Sequence, residues 1–259
     1  MIGTETELTP TQQELLDLLW ATETVAPVTK RLADPDGNYR FEKYERPTRP
    51  IDFAGEGEFV LKSHEKKPDD PLSPFYINLR NLPSPVLIKV AGVIAEATQT
   101  QRVQADFCTG IPDAGEPIAR AFSEVAGIHY RKLFIKATSD SGRRIIASDE
   151  VFRGRSGKLL IIDDLITAAD TKWETINRAQ FLNYSIAGIA VLVDRQQGGR
   201  DQLESKGYRL FAPLPISRVF AYYYQKDMID EAIYVSCMKY LNDARASLSL
   251  PKLEIITSC

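Results

Sequence analysis

The chain has 259 residues, which is enough for one large domain or for a core with a smaller appendage. Hydrophobic residues make up 44% and charged residues 26%, as in ordinary globular proteins, and the formal net charge of −3 leaves no basic surplus for binding nucleic acid. No apolar run approaches the ~20 residues that span a bilayer. Residues 1–13 have neither a basic start nor an apolar core, so we expect a cytoplasmic protein without membrane or nucleic-acid partners.

Cysteines and histidines are few and scattered along the chain. Cys108, Cys237 and Cys259 lack the spacing of metal ligands and do not indicate a disulfide framework. His64 and His129 are the only histidines, so we expect neither a histidine-based zinc site nor a Ser-His-Asp triad.

The first predicted helix begins at a capping box. Thr9 and Gln12 have the spacing of that motif, and the leucines that follow recur at helical spacing through about residue 21. From residue 26 to residue 74 the sequence is rich in proline, glycine and charge. We therefore predict irregular structure there, with one short strand at 58–62 and an exposed loop at 64–74.

Predicted strands and helices alternate from Ser84 onward. The strand-like runs are 105–108, 132–136, 158–162 and 186–193, and the helices after the one that begins at Ser84 are 116–125, 171–182 and 201–206. Because these strands are apolar on both faces, they predict an α/β fold with a parallel sheet covered by helices on both sides. Ligands of such sheets bind beyond the carboxyl ends of the strands.

One predicted strand runs directly into two acids. Residues 158–176 read KLLIIDDLITAADTKWETI, so Asp163 and Asp164 follow an apolar run, and small residues lead into the next helix. The N–H groups of such a turn can hold a phosphate, while the acids can bind ribose hydroxyls or a magnesium ion attached to the ligand. The alternative is that the acids face solvent and that Asp170 only caps the helix.

Five segments, in order along the chain, resemble a known family. LLIIDDLITAADTKWE (159–174) resembles the phosphoribosyl-pyrophosphate motif of the type I phosphoribosyltransferases. The other four segments are FVLKSH with SPFYINLRNL (59–64 and 73–82), CTGIPDAGEPIA (108–119), VLVDRQQGG (191–199) and DMIDEAIYVSCMKYL (227–241). They resemble, in turn, the base-binding stretch, the pyrophosphate loop, the Asp-Arg-Gln signature and the C-terminal helix of orotate phosphoribosyltransferases.

The resemblance implies a fold, a reaction and an assembly. The fold would be the type I phosphoribosyltransferase sheet with a small N-terminal hood. The reaction would transfer ribose 5-phosphate from phosphoribosyl pyrophosphate to orotate, with magnesium carried by the phosphoribosyl pyrophosphate and not bound directly by the protein. The chain would form a homodimer and divide into an N-terminal helix and hood (1–82), an α/β core (83–215) and a C-terminal helix and tail (216–259).

The resemblance also assigns roles to individual residues. The catalytic residues would be Asp163 and Asp164, on the ribose hydroxyls, and Lys136, on the pyrophosphate. Backbone groups of Thr167, Ala168, Ala169, Asp170 and Thr171 would hold the 5-phosphate, and those of Gly110, Ile111, Pro112, Asp113, Ala114 and Gly115 would meet the pyrophosphate. The base would contact Lys62, Phe75, Tyr76, Thr167 and Arg195.

The contacts to the base and the pyrophosphate have structural alternatives. Lys62 and Lys136 could be solvated surface residues. Phe75 and Tyr76 could belong to the core. Arg195 could instead pair with Asp194 or Asp201.

The phosphate turn departs from the family pattern at two positions. Ala169 stands where the family has glycine, and Asp170 stands where it has glycine or a hydroxyl residue. Glycine permits a positive φ and a close approach of the phosphate, so we expect the methyl group of Ala169 to crowd the ligand. A carboxylate 4–5 Å from a phosphate would cost about 1–4 kcal/mol. As an N-cap, Asp170 would instead contribute about 1 kcal/mol to the helix.

The mobile catalytic loop departs as well. The family reads roughly Arg-Lys-Glu-x-Lys-Asp-x-Gly and donates this loop across the dimer, whereas residues 135–142 read IKATSDSG. Ile135 therefore replaces an arginine, and Ser139 replaces the lysine that would neutralise charge on the departing pyrophosphate. Arg143 and Arg144 follow and could supply cations from later positions.

Two other functions stay open at this point. The departures at Ala169, Asp170, Ile135 and Ser139 also fit a degenerate homologue that binds a nucleotide or a partner protein without turnover. A phosphoribosyltransferase for another base is the third interpretation. Lys62 and Arg195 argue against purines, which have no carboxylate for these cations to meet.

Overall fold

The computed structural model describes residues 7–255 apart from 35, 37, 55–58, 62, 63, 65–67, 140, 141 and 149–155, with the backbone alone for 138, 139 and 142–144. The chain divides into two compact units, one of Met1–Leu15 with Pro83–Ile216 and the other of Leu16–Leu82 with Ser217–Cys259. None of the helices within the described ranges is long and apolar enough to cross a membrane.

The described ranges contain seven helices and twelve strands. In chain order they are α1 (Pro10–Ala21), β1 (Thr24–Ala33), β2 (Tyr39–Thr48), β3 (Ile51–Phe53), β4 (Phe75–Ile77), α2 (Ser84–Thr100), β5 (Phe107–Gly110), α3 (Gly115–Ala126), β6 (His129–Tyr130), β7 (Phe134–Ser139), β8 (Gly142–Ala147), β9 (Gly157–Ile166), α4 (Asp170–Phe181), β10 (Tyr184–Asp194), α5 (Gly199–Glu204), β11 (Leu210–Phe211), β12 (Leu214–Pro215), α6 (Ile216–Gln225) and α7 (Glu231–Ser247).

The first unit is built on a parallel sheet. Its strand order is β11–β10–β9–β5–β6, with β12 also beside β10, and every pair of neighbours is parallel. Helices α2 and α3 pack against each other and on the sheet, and α4 packs on β10. The predicted α/β class with a helix-flanked parallel sheet is confirmed.

Burial on both faces explains the unbroken apolar runs of the central strands. Residues 159–162 of β9 and 189–193 of β10 have no exposed surface. Leu159 and Ile161 belong to one core cluster with Ile176 of α4. Since neighbouring side chains of a strand point to opposite faces, Leu160 and Ile162 fill the other face.

The start of α3 lies so close to the sheet that it requires glycine. A Cβ atom on Gly115 would be 2.4 Å from the carbonyl oxygen of Ile162, and one on Gly110 would be 2.4 Å from the carbonyl oxygen of Gly115. Backbone atoms cannot move aside as the end of a flexible side chain can, so a larger residue would displace the helix. The two glycines let the first turn of α3 rest on β9 at Ile162 and Asp163.

The predicted strand at 132–136 is wrong in its sheet assignment. Strand β7 begins at Phe134 and pairs antiparallel with β8 as a separate ribbon, while β6 takes the edge of the parallel sheet. Glu174 of α4 accepts a hydrogen bond from the backbone N–H of Ile145 at 2.8 Å, which ties this ribbon to α4. Residues 142–147 supply the ladder partner, and no strand was predicted there.

The second unit contains a hairpin that the sequence did not predict. Residues 26–74 were expected to be irregular, but β1 and β2 form a ten-residue antiparallel ladder, and β3 pairs with β4. Lys30 lies over the ring of Tyr44 and Arg31 over the ring of Tyr39, each 4.7 Å from the centroid. Such cross-strand pairs stabilise a ribbon through long polar side chains, so apolar alternation alone does not reveal it.

The expected exposed loop from residue 64 is buried at both ends. His64 is 1% exposed, and its Nε2 atom lies 3.0 Å from the carbonyl oxygen of Pro71. Ser73 has no exposed surface and donates its hydroxyl to the carbonyl oxygen of Phe75. Residues 69–71 between them are exposed, as predicted.

Aromatic residues form the core of the second unit. The rings of Phe53 and Phe75 meet Phe220 of α6 at centroid distances of 5.7 and 4.8 Å, and Tyr223 packs on Trp20 at 5.0 Å. The C-terminal helix that the sequence predicted is α7, which Asp230 caps by accepting a hydrogen bond from the N–H of Ile233.

Candidate functional site

Three segments come together at the carboxyl ends of the parallel strands. They are 110–115 after β5, 167–171 after β9 and 195–199 after β10. The N–H of Ile111, after β5, donates to the carbonyl oxygen of Ile162 at 2.8 Å, and the N–H of Arg195, after β10, donates to the carbonyl oxygen of Ile166 at 2.9 Å. Strand β9 therefore holds the loop at 110–115 on one side and the segment at 195–199 on the other. This is the position where parallel sheets bind ligands.

The acid pair lies inside β9, because that strand continues to Ile166. Asp163 is buried, and both of its carboxylate oxygens have protein partners. Oδ2 is 2.7 Å from the ammonium of Lys172, and Oδ1 accepts a hydrogen bond from the N–H of Asp164 at 3.0 Å. The structure therefore holds Asp163 by internal contacts.

Asp164 differs from its neighbour in its contacts. It is half-buried, and its Oδ1 atom accepts a hydrogen bond from the N–H of Leu165 at 2.8 Å. Burial, and next the Asp163 carboxylate, raise the pKa of Asp164 to about 7, although Lys172 acts in the opposite direction. Asp164 is thus the acid of the pair whose charge is least compensated.

Lys172 is a site residue that the sequence analysis missed. Its ammonium is buried and contacts both Asp163 and the carbonyl oxygen of Leu165 at 2.7 Å. A lysine at the third position of an amphipathic helix usually faces solvent. One sequence feature could have identified Lys172. It lies one helical turn before Ile176, and this spacing places it on the apolar face of α4.

The expectation for Ala169 is wrong. The residue has a φ of −93°, which alanine adopts without strain, so glycine is not needed for the backbone conformation. Its methyl group is fully buried in the core cluster that contains Ile176. The alanine therefore does not crowd a ligand; it anchors the turn in the core.

The N–H of Ala169 is also engaged within the protein. It donates to the side-chain oxygen of Gln202 at 2.9 Å, and the N–H of Gly199 donates to the carbonyl oxygen of Thr167 at 3.0 Å. Helix α5 thereby fixes the outer side of the turn. Gln202 is a second residue that the sequence analysis did not identify.

Asp170 is not the N-cap that one alternative predicted. The helix cap is Ala169, without a side-chain hydrogen bond, and Asp170 is the first residue of α4, with an exposed carboxylate. The hydrogen bonds of the described residues leave the N–H groups of Ala168, Asp170 and Thr171 without a protein acceptor. Unpaired N–H groups at a helix start attract an anion, and so does the helix dipole.

The structure brings Lys136 to the predicted pyrophosphate loop. The Nζ atom of Lys136, on β7, is 3.4 Å from Oδ2 of Asp113. The loop runs from Gly110 through Ile111, Pro112, Asp113 and Ala114 to Gly115, and the peptide bond between Pro112 and Asp113 is cis. One cation and one short loop thus lie together beside the acid pair.

Arg195 follows β10, and its side chain is buried. Asp194, one of its suggested partners, contacts Arg200 at 3.0 Å and the N–H of Gln196 at 2.8 Å. Register places Asp194 opposite Ile166, so Arg195 lies beside Thr167 along the strand ends. The structure therefore brings the backbone of Arg195 next to the phosphate turn.

The remaining base-binding predictions fall in the second unit. Lys62 lies outside the described residues. Phe75 has no exposed surface and packs on Phe220 and Tyr240, so its environment favours the core interpretation. Tyr76 is half-buried, stacks on Phe59 at 5.5 Å and donates its hydroxyl to the carbonyl oxygen of Pro27.

The predicted catalytic loop corresponds to the β7–β8 ribbon. Ile135 lies on β7 and is half-buried, and Ser139 is the last residue of that strand. Ser139 pairs with Gly142 in the ladder. The side chains of Ser139, Arg143 and Arg144 lie outside the described part of the chain.

Comparison with known proteins gives a consistent picture. No protein-family model matches the chain. The chain is 28% identical over 207 residues to the uridine 5'-monophosphate synthase of Bos taurus, a match that covers 76% of this chain and 41% of that protein. It is 30% identical over 172 residues to the orotate phosphoribosyltransferase of Pyrobaculum islandicum, covering 65% of this chain and 86% of that protein.

A solved structure agrees with these relatives in fold. The orotate phosphoribosyltransferase of Francisella tularensis matches with a TM-score of 0.54 at 22% identity, covering 77% of this chain and 94% of that one. The chain spans less than half the length of the Bos taurus relative, and most of the Pyrobaculum and Francisella proteins.

The raised pKa of Asp164 predicts a pH-dependent cost to stability. A carboxyl whose pKa is about 7 when folded and about 3.9 when unfolded destabilises the native state increasingly as the pH rises from 4 to 7. Asp164→Asn removes that cost. In urea unfolding, the free energy of unfolding of the variant minus that of the wild type should grow by roughly 2–4 kcal/mol between pH 4 and pH 7. Above pH 7 this difference should stay constant. An equal difference at pH 4.5 and pH 8 would contradict this assignment.

Proposed function

Because this chain belongs to the orotate phosphoribosyltransferase family, we propose that it transfers ribose 5-phosphate from phosphoribosyl pyrophosphate to orotate. The products are orotidine monophosphate and pyrophosphate, a step of pyrimidine nucleotide synthesis. A homodimer and a cytoplasmic location are part of the same proposal, which rests for them on the family resemblance.

One observation carries the proposal. The turn at 167–171 combines open N–H groups, a helix start and the half-buried Asp164 within a few residues. Open N–H groups suit a phosphate, and a carboxylate suits the hydroxyls of a ribose. A ribose 5-phosphate requires both kinds of contact at adjacent positions, and this turn supplies them.

The proposed roles follow from these contacts. The N–H groups of Ala168, Asp170 and Thr171 hold the 5-phosphate, and Asp164 accepts hydrogen bonds from the ribose. The loop at 110–115 and Lys136 face the pyrophosphate, because they lie on the other side of the acid pair. For orotate, the contacts that the family resemblance implies, among them Arg195 and Tyr76, stay predictions.

Magnesium would be carried by the phosphoribosyl pyrophosphate. Within the described residues, no group of three histidine, cysteine or acidic side chains could hold a metal ion alone. One uncompensated acid, Asp164, fits a cation that is held mostly by phosphate oxygens. When bound, magnesium draws charge away from the departing pyrophosphate.

The chemistry of the transfer depends on position and charge. As the bond to pyrophosphate lengthens, the anomeric carbon becomes positive and the leaving group becomes more negative. Lys136 stabilises that negative charge, while the fixed turn and Asp164 keep the ribose aligned with the attacking nitrogen of orotate. The protein forms no covalent bond to the sugar in this mechanism.

Binding without turnover is the second candidate function. Ile135 stands on the ribbon where the family has a cation, Asp170 adds a negative charge beside the phosphate, and Gln202 occupies one N–H of the turn. The missing cation at Ile135 weakens catalysis more than binding, because it would act on the departing pyrophosphate, whereas Asp170 and Gln202 weaken the hold on the phosphate. A protein that binds orotidine monophosphate but releases no pyrophosphate from any base would fit this candidate.

A pyrophosphate-release assay tests the proposed reaction. With orotate, phosphoribosyl pyrophosphate and magnesium, we expect turnover that falls about 100-fold or more in Asp164→Ala, because the ribose is no longer aligned. Asp243→Ala, on the exposed face of α7, is the matched control and should leave turnover unchanged. Absence of product from orotate across a range of magnesium concentration and pH would refute the proposal, and a panel of other bases would test the base preference.

Substitutions in the turn distinguish charge from crowding. Asp170→Thr should tighten binding of ribose 5-phosphate about tenfold, since it removes a like charge near the phosphate. Ala169→Gly should bring no gain and should lower the free energy of unfolding by about 1 kcal/mol, since the methyl group is buried. Calorimetry and urea unfolding measure both effects.

Glu231→Thr is the control for the charge substitution. Glu231 is an exposed acid at the first position of α7, as Asp170 is in α4, so its removal should not change binding. An equal gain from Ala169→Gly and Asp170→Thr would mean that crowding by the methyl group limits the site.

A further inference from the structure

The buried ion pair between Asp163 and Lys172 divides the two acids by role. We propose that Lys172 is a positioning residue that withdraws Asp163 from the ligand, so that Asp164 alone contacts the ribose. This inference rests on the proposed function for its ligand. It departs from the sequence-based expectation that both acids contact the ribose hydroxyls.

The contacts of Asp163 leave it little capacity for a ligand. Lys172 donates to Oδ2 at 2.7 Å, and the N–H of Asp164 donates to Oδ1 at 3.0 Å. A Cβ atom on Gly115 would lie 3.1 Å from Oδ1, so the start of α3 closes that side. The side chain is only 9% exposed. A ribose hydroxyl would have to displace one of these partners.

The second contact of Lys172 links the pair to the phosphate turn. Its ammonium also donates to the carbonyl oxygen of Leu165 at 2.7 Å, just before the turn begins. Lys172 lies in the first turn of α4, immediately after the turn ends. One side chain therefore joins both ends of the segment whose N–H groups face the phosphate.

Charge explains why the pairing favours binding. Two adjacent carboxylates in a half-buried position repel each other and any phosphate nearby. The ammonium cancels one of the two charges, so the site presents a single carboxylate to the sugar. Lys172 also lowers the pKa of Asp164, which helps to keep that carboxylate ionised near neutral pH.

A set of four variants tests the pair by melting temperature. Lys172→Met and Asp163→Asn each leave one buried partner without its counterpart, and each should lower the melting temperature by about 10 °C. The double variant should regain most of that loss, because neither charge remains. The fourth variant, Asp164→Asn, removes no partner of Lys172 and serves as the comparison. If Lys172→Met had the same melting temperature as the wild type, the ion pair between Lys172 and Asp163 would be refuted.

Binding of orotidine monophosphate, measured by calorimetry, tests the division of roles. The double variant should lose at most about threefold in affinity, which reflects the missing contact between Lys172 and Leu165, because Asp163 does not contact the sugar. Asp164→Asn should weaken binding tenfold or more, in the wild type and in the double variant alike. A double variant that binds as weakly as Asp164→Asn would show that Asp163 contacts the ribose and would overturn the inference.

Carbon-13 NMR of the Asp164 carboxyl adds a readout that loss of folding does not produce. In Lys172→Met its titration midpoint should rise, because the ammonium no longer lowers the pKa. An unchanged midpoint would argue against the positioning role. If the wild type binds no ribose phosphate, the proposed function fails, while the melting and titration data still decide whether the pair exists.

Discussion

The close approach of α3 to β9 at Ile162 is the constraint on which the site depends. Only glycine fits at positions 110 and 115, since a Cβ at either would lie 2.4 Å from a backbone oxygen. This contact brings the loop at 110–115 against Ile162, one residue before the acid pair. Strand β9 also leads into the phosphate turn at 167–171. The contact between Ile111 and Ile162 therefore sets the spacing between that turn and the loop at 110–115.

Charge compensation is the second requirement at this corner. Placing two acids within a strand costs energy, and the structure offsets part of that cost with Lys172. The remaining cost appears as the raised pKa of Asp164. A site with one paired and one unpaired acid is suited to a ligand with hydroxyls on one side and phosphates on the other.

The sequence predicted the parts of the site that follow from local pattern. An apolar run ending in two acids located Asp163 and Asp164, and strands apolar on both faces predicted the parallel sheet. Pattern could not show that the methyl group of Ala169 enters the core, because that depends on helix packing. Lys172 was missed for a related reason, since its buried partner lies nine residues earlier. The β1–β2 hairpin escaped notice because charged and aromatic side chains, not apolar alternation, join its strands.

A crystal structure with bound orotidine monophosphate would show in one experiment where the phosphate and the ribose lie. We expect the 5-phosphate against the N–H groups of Ala168, Asp170 and Thr171, the ribose hydroxyls on Asp164, and Asp163 still paired with Lys172. A nucleotide bound away from this turn would contradict the claim that the end of β9 is a ribose-phosphate site. A ribose bound to Asp163, with Lys172 displaced, would contradict the division of roles between the two acids.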